Sequence, residues 1–332
     1  MTLTERDAWP LLDIVSYGRK GPAVDRLSAK QIEEIRRTIR RAPEVMIKVT
    51  SGAGATSARG IAAHIAYISR RGREEIMTDD GQGVRGADAG AMLVRDWDID
   101  VAEGRSRAED VLTDRCRRTK LVHRVVFSMP PGTPPGKLLA AVRDFAAQQF
   151  APLHRYAMVL HTDEPHPHVH VVVKAVSERG ERLNIRKETL RRWRSEFAHH
   201  LRRHGVDATA TSRAIRGQGK FRKLDGIYRA ASRGQSIHMR QRAEQAMRRP
   251  APNDAAASHR LNATRATIIH AWQKLVRQLL SQGESTLGDQ VSRFLAEMPQ
   301  VQTEAELLRE QVRANVTRHR TETRQQSKAR IS

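Results

Sequence analysis

The chain has 332 residues, and its 59 lysines and arginines exceed its 37 aspartates and glutamates, giving a formal net charge of +22 at pH 7. So strong a positive charge is typical of proteins that bind a polyanion, most often nucleic acid. The single cysteine, Cys116, excludes an internal disulfide and a CxxC metal site, and it favours a reducing cytoplasm. Neither a long apolar run nor a signal-peptide core is visible, which argues against membrane insertion. Composition alone leaves a nucleic-acid-coating protein as open as an enzyme.

The first 44 residues predict a mildly basic N-terminal extension. Within it, Ser28 is placed to cap a short basic helix that ends before Pro43. The next segment, EVMIKVT, is dominated by apolar and β-branched residues and predicts a strand. The small-residue cluster SGAGATS ends that strand.

A helix is predicted next, because apolar residues recur at helical spacing in ARGIAAHIAYISRRG. Gly72 is its expected stop. The following segment, residues 73–118, is weakly patterned and contains several glycines, so it predicts an excursion with one short helix. The apolar face of the helix predicted before Gly72 consists of Ile61, Ile65 and Ile68.

The centre of the chain predicts a sheet covered by helices. TKLVHRVVFSM forms a strand closed by PPGTPPG, and a helix with an apolar stripe follows. HRYAMVLHT and HPHVHVVVKAV then predict a hairpin, and a helix runs from Lys187 to about His204. The order β-α-β-α-β-β-α indicates an α+β fold with a mainly antiparallel sheet. Residues 221–332 predict a basic, mostly helical C-terminal region, in which Ile268, Trp272, Leu275 and Leu279 form an apolar stripe.

The stretch HTDEPHPHVHVVVKA places several imidazoles on one strand. Side chains alternate along a strand, so His168 and His170 share a face while the alternate valines form a core on the other. A hairpin brings His161 beside them, and three neutral imidazoles suit a divalent metal ion. Asp163 would orient an imidazole, act as a base or simply occupy the turn. His166 shares the face as a spare ligand, a substrate contact or neither. The alternative is a set of surface histidines.

Tyr67 is the notable member of four tyrosines, at positions 17, 67, 156 and 228. On a continuous helix, His64, Arg70 and Arg71 would lie three or four residues away and surround it with a basic face. A phenol has an ordinary pKa of about 10, so attack at neutral pH needs a base or a cationic neighbour. The alternative is a tyrosine that only packs.

Four segments, in order, resemble the conjugative relaxases, the mobilisation nucleases of the HUH endonuclease superfamily, in the plasmid-mobilisation and T-DNA-border-nicking branch. They cover about residues 45–217 and predict a nuclease domain over residues 45–220. The ordered set is more specific than any one motif. The segments are IKVTSGAGATSARGIAAHIAYISRRGREEI, HRVVFSMPPGT, HTDEPHPHVHVVVKA and LRRHGVDATATSRAIRG.

The resemblance assigns roles by position. It implies that Tyr67 is the nucleophile that becomes linked to a 5′ phosphate, and that Ser128 holds DNA near the nick, with Arg70 and Arg71 as further DNA contacts. It implies that Asp163 is the acidic residue of the histidine motif. The metal ligands implied are His161, His168 and His170, with Mg²⁺ or Mn²⁺ as the ion.

The resulting hypothesis is a metal-dependent relaxase that nicks single-stranded DNA at a transfer origin and starts transfer of a plasmid or integrative element. Expected partners are DNA, accessory origin-binding proteins and the coupling protein of a type IV secretion system. A bacterial cytoplasmic location is expected, with export alongside the transferred strand open. The competing hypotheses are a rolling-circle initiator or transposase, a catalytically silent DNA-binding accessory protein, and a metal phosphohydrolase.

Overall fold

A computed structural model describes residues 26–50, 53–112, 119–217, 236–247 and 252–314. The predictions for the first 25 residues, for Cys116, for Tyr17 and Tyr228, and for the last 18 residues lie outside the described residues. The described chain falls into two compact units. Residues 40–210 form the sheet unit, and residues 26–39 with 211–314 form the helical unit.

The sheet unit is built on six strands in the order β1-β4-β6-β5-β2-β3. Each neighbouring pair is antiparallel, which confirms the predicted α+β class with an antiparallel sheet. β5 and β6 form the predicted hairpin at the centre of the sheet. The strands are β1 (Met46–Thr50), β2 (Ile76–Thr78), β3 (Gly83–Val84), β4 (Val122–Ser128), β5 (Tyr156–His161) and β6 (His168–Lys174).

One face of the sheet carries the larger core. Two helices pack on it, α5 (Pro135–Gln149) and α6 (Lys187–Arg203). The ring of Phe127 on β4 lies 5.0 Å from Phe145 on α5 and 5.1 Å from Phe197 on α6, centroid to centroid. The alternate valines of β6 are buried here, as predicted: Val169, Val171 and Val173.

The opposite face, which carries the histidines, has a second core. The sequence predicted a core only on the valine face, so the core on the far half of the histidine face is a correction. Helix α2 (Ala58–Ile68) lays its isoleucine stripe on Val159 and Val172, and α3 (Ala89–Asp96) packs beside α2. Val172 is two residues beyond His170, so a single face of β6 passes from histidines to buried core. The stripe of α2 is Ile61, Ile65 and Ile68.

The segment after α2 is more structured than the sequence predicts. In place of one short helix, it contains β2, β3, α3 and α4 (Ile99–Leu112). Strands of three and two residues show no alternation to read, and they exist because β2 pairs with β5 and β3 pairs with β2. The two helices are separated by Asp98, which adopts a left-handed conformation with φ of 51°.

The helical unit contains α1 (Ala29–Ile39), three later helices named below and a further helical stretch over residues 304–314. Ser28 caps α1 as predicted: its Oγ accepts from the Gln31 amide at 3.3 Å, and its own amide donates to Gln31 Oε1 at 2.7 Å. No helix within the described ranges is long and apolar enough to cross a membrane. The later helices are α7 (Ile237–Met247), α8 (Pro252–Ser281) and α9 (Ser285–Ala296).

The core of the helical unit centres on Trp272 of α8. Its ring lies 5.5 Å from that of Phe294 on α9, and its indole N–H donates to the Ile215 carbonyl at 3.0 Å. The predicted apolar stripe of α8 is buried in full: Ile268, Trp272, Leu275 and Leu279.

Candidate active site

The strand register brings three histidines together on one face of the hairpin. His161 on β5 pairs directly with His168 on β6, and His170 pairs with Val159, two residues away on each strand. Paired residues in an antiparallel sheet point to the same face, so the three imidazoles converge. Their ring centroids lie 5.1 Å apart for His161 and His168, 4.7 Å for His161 and His170, and 5.0 Å for His168 and His170.

Hydrogen bonds fix the proton positions on two of these rings. Nε2 of His161 lies 2.6 Å from the Ile68 carbonyl, and Nδ1 of His168 lies 3.1 Å from the His166 carbonyl. A carbonyl oxygen only accepts, so each of these nitrogens carries the proton. The other nitrogen of each neutral ring, Nδ1 of His161 and Nε2 of His168, keeps its lone pair for a ligand. Backbone carbonyls commonly orient metal-binding histidines in this way.

Burial favours the neutral form of two histidines of the cluster, His161 and His170. It lowers the pKa of His161, and together with the nearby rings of His161 and His168 it lowers the pKa of His170 to about 3. His64, on the α2 face that looks towards the sheet, has its pKa lowered to about 4 by burial and by the charge of Arg124. Neutral imidazoles are the form that binds a metal ion.

The cluster fits a divalent ion. One nitrogen from each of His161, His168 and His170 lies within 4.8 Å of the other two. Two nitrogens bound about 2.1 Å from a shared ion lie at most about 4.2 Å apart, so a small inward movement closes the site. His166 has an exposed side chain outside this cluster and takes part through its carbonyl.

Tyr67 stands beside this cluster on α2. Its side chain is 65% exposed, and the next residue, Ile68, supplies the carbonyl bound by His161. That carbonyl is available because α2 ends at Ile68, and the last carbonyls of a helix lack intrahelical partners. The prediction that Tyr67 lies on an exposed helix face is confirmed. The hydrogen bond from His161 to the Ile68 carbonyl joins residues far apart in the sequence, so the sequence could not predict it.

The two arginines after Tyr67 lie beyond the helix, which corrects their predicted helical spacing. Arg70 and Arg71 both adopt left-handed conformations, with φ of 53° and 58°. Helix α2 therefore ends four residues before the predicted stop at Gly72. Gly72 has φ of 81°, and a Cβ there would meet the Gly86 backbone at 2.1 Å. The glycine thus permits the tight approach that closes this turn.

Arg70 connects Tyr67 to the histidine hairpin. Its guanidinium carbon lies 5.9 Å from the centre of the Tyr67 ring, and a guanidinium nitrogen makes an ion pair with Asp163. Asp163 follows β5 by two residues, so this pair joins the end of α2 to the hairpin loop. Asp163 makes its ion pair with Arg70, whereas the sequence also allowed an imidazole partner.

Ser128 and Arg124 lie on the histidine face of β4. Ser128 pairs with His168 and its Oγ donates to the Pro167 carbonyl at 3.4 Å. Arg124 is four residues earlier on the same face, pairs with Val172, and was missed by the sequence reasoning. The available signal was a lone cation inside the apolar strand HRVVFS, with the same parity as Ser128.

An antiparallel sheet with a three-histidine cluster joined to a tyrosine-bearing helix is the site expected of an HUH-type nuclease. The family model described as "Relaxase: MobA/VirD2-like, nuclease domain" matches residues 79–206. Those residues are thus similar to the relaxase nuclease domains that this family model describes. The match includes the histidine cluster, Asp163 and Ser128, and it begins after Tyr67.

Curated relatives agree with that family. The chain is 27% identical to the T-DNA border endonuclease VirD2 of Rhizobium rhizogenes over 210 residues, which cover 55% of this chain and 45% of that protein. It is 27% identical over 218 residues to VirD2 of Agrobacterium fabrum, covering 59% and 46%. Identity to VirD2 of Rhizobium radiobacter is 29% over 195 residues, covering 52% and 43%. The matched part is thus under half of each relative, and no solved structure matches the chain significantly.

Proposed function

We propose that this protein is a metal-dependent relaxase that nicks single-stranded DNA at a transfer origin through a covalent tyrosine intermediate. The observation that carries the proposal is the hydrogen bond from His161 to the Ile68 carbonyl. It supports the proposal because Tyr67 is exposed and directly precedes Ile68, whose carbonyl contacts a histidine of the cluster. A protein that only binds DNA needs neither group.

The chemistry proposed is transesterification. The Tyr67 oxygen attacks a phosphodiester phosphorus, a bond from that oxygen to phosphorus forms, and the bond to the 3′ oxygen breaks. The phenolic proton leaves to water, which reaches the side chain, and the 3′ oxygen departs as a hydroxyl. A divalent ion on the three histidines would polarise the phosphate and stabilise charge on its oxygens. The phosphotyrosyl ester retains the bond energy needed for rejoining.

Arg70 and Asp163 are assigned positioning roles in this proposal. Asp163 is half exposed, and its ion pair with Arg70 holds the guanidinium near the Tyr67 ring. A cation there favours negative charge developing on the phenol oxygen. Arg71 and Ser128 complete the proposed DNA contacts, with Ser128 beside His168 on the sheet.

Mn²⁺ is the favoured ion of the two expected from the resemblance. Three imidazoles are softer ligands than Mg²⁺ prefers, because Mg²⁺ takes oxygen ligands and retains water. Mn²⁺ also favours oxygen ligands, but it is a transition-metal ion and exchanges its water for other ligands more readily than Mg²⁺ does. The cluster of His161, His168 and His170 therefore supports Mn²⁺ as the more effective cofactor.

The proposed biological role is to start conjugative transfer of a plasmid or integrative element. The relaxase domain and the high positive charge support DNA as the substrate. Accessory origin-binding proteins and a type IV secretion coupling protein are the proposed partners. A cytoplasmic location, with export alongside the transferred strand, completes the proposal.

The test compares Tyr67→Phe and Tyr17→Phe proteins on labelled single strands from the intergenic DNA of the parent element, with Mn²⁺. We expect Tyr67→Phe to abolish nicking and leave DNA binding within about twofold of the unmodified chain, because it removes one exposed hydroxyl. Tyr17→Phe is expected to nick normally.

Three outcomes contradict the proposal. Full nicking by Tyr67→Phe reassigns the nucleophile. Metal-dependent cleavage that never yields a protein adduct indicates a phosphohydrolase. Binding without cleavage of any strand, by a folded protein on a library that contains the origin, indicates an accessory protein.

A further inference from the structure

The histidine face of the sheet continues past the histidine cluster onto β4 and β1. Cross-strand pairs align Met46 with Ser128 and His168, Lys48 with Val126 and His170, and Thr50 with Arg124 and Val172. All of these side chains point to one face. The strip on β1 and β4 is open to solvent: Met46 is 47% exposed, Lys48 is exposed, and the β4 side chains are half-buried.

The position of Arg124 follows from this register. It lies two residues along β4 from Val126, the neighbour of His170. With about 4.8 Å between strands and about 3.4 Å per residue, its Cα is about 8 Å from that of His170. The charge of Arg124 contributes to lowering the pKa of His64 on α2, and His64 contributes to lowering the pKa of His170. Arg124, His64 and His170 are therefore neighbours around the cluster.

Arg124 is a cation without a counter-ion. Among the described residues no carboxylate pairs with it, and its buried Nε makes no hydrogen bond. Burial lowers its pKa, and no acidic neighbour raises it. Arg155 is also partly buried, but it forms ion pairs with Asp79 at 2.7 Å and with Asp96 at 2.8 Å. A partly buried charge without a partner is costly, and a bound anion is what removes that cost.

We propose that Arg124 binds a phosphate of the DNA strand next to the one that the histidine cluster would address, and that Lys48 extends this path along the open face. The ligand class is a phosphodiester of single-stranded DNA, which a guanidinium can hold through two nitrogens. This inference rests on the proposed function for its ligand. It adds a phosphate-binding residue that neither the sequence motifs nor the family match assigns.

The test uses the full chain and a single-stranded oligonucleotide, with Kd measured over a salt series by fluorescence anisotropy. Arg124→Gln should bind roughly tenfold or more weakly, the effect of losing a charge-assisted hydrogen bond. Its slope of log Kd against log salt should fall by about 0.7, the value for one lost phosphate contact on a single strand. Arg124→Lys should keep the slope and recover part of the affinity.

One matched variant serves as a control, and Lys48→Gln tests the second residue of the proposed path. Arg191→Gln removes one exposed charge on α6, which covers the opposite face, and should leave Kd within about twofold. Lys48→Gln should give an intermediate loss because its ammonium stays hydrated. Without DNA, Arg124→Gln should unfold at the same temperature as the unmodified chain or higher, because it removes an uncompensated charge. A merely structural arginine gives the opposite sign.

The outcomes separate this inference from the proposed function. If the protein fails to nick but Arg124→Gln shows the reduced slope, the phosphate subsite stands and the nuclease proposal fails. If the unmodified chain nicks and Arg124→Gln binds with unchanged affinity and slope, the subsite is refuted. Equal losses in Arg124→Gln and Arg191→Gln also refute it, because they show a general charge effect.

Discussion

Gly90 on α3 permits the close approach of α2, the helix that carries Tyr67. A Cβ added at Gly90 would lie 2.4 Å from the Ala62 carbonyl oxygen of α2, whereas ordinary contact begins near 3.4 Å. In Gly90→Ala the two helices must therefore separate by about 1 Å. Overpacking of this kind costs about 1–3 kcal/mol, and helix propensity returns up to about 1 kcal/mol. We expect a net loss of stability of about 1–2 kcal/mol.

Gly104 offers a matched control, because it also lies within a helix, α4, and a Cβ there meets nothing within 4 Å. Gly104→Ala should stabilise the protein by up to about 1 kcal/mol. Urea unfolding followed by circular dichroism gives the two midpoints. Nicking should also slow in Gly90→Ala, since α2 carries Tyr67. A Gly90→Ala protein as stable as Gly104→Ala would refute the close approach of α2 and α3.

Three further predictions address other parts of the chain. Gly72→Ala should destabilise the sheet unit by about 2–4 kcal/mol, measured by urea unfolding, because φ is 81° and the Gly86 backbone is too close for a Cβ. Saturating Mn²⁺ at about 100 times Kd should stabilise the unmodified chain by about 2.7 kcal/mol in thermal unfolding. His170→Ala should show no such stabilisation and should bind no ion by calorimetry. Trp272→Ala should cost the helical unit about 3–5 kcal/mol in urea unfolding, because the indole is buried and bonds Ile215; unchanged unfolding would contradict the described core.

Local patterns carried the sequence predictions that succeeded. The isoleucine spacing of α2 and the alternating valines of β6 each lie on one element, and burial follows their period. The β5–β6 hairpin is joined by a short loop, so the meeting of the histidines could be inferred. The metal-binding role of the histidines was inferred from strand geometry, and Tyr67 was singled out by its basic neighbours before the resemblance implied that it is the nucleophile. These roles stay predictions until tested.

Non-local contacts account for what the sequence did not reveal. The bond from His161 to Ile68 and the Arg70–Asp163 pair each join residues 93 positions apart. β2 and β3 are too short to show a period. β2 depends on pairing with β5, and β3 depends on pairing with β2. Whether Arg124 has a carboxylate partner depends on the distances to residues remote in the sequence. The sequence alone does not give these distances.

The most direct test of the account is mass spectrometry of the protein after incubation with its origin strand and Mn²⁺. The account predicts a peptide containing Tyr67 that carries a 5′-linked nucleotide, formed only with metal and absent in Tyr67→Phe. An adduct on another residue, or nicked DNA with no adduct under conditions that trap rejoining, would contradict it.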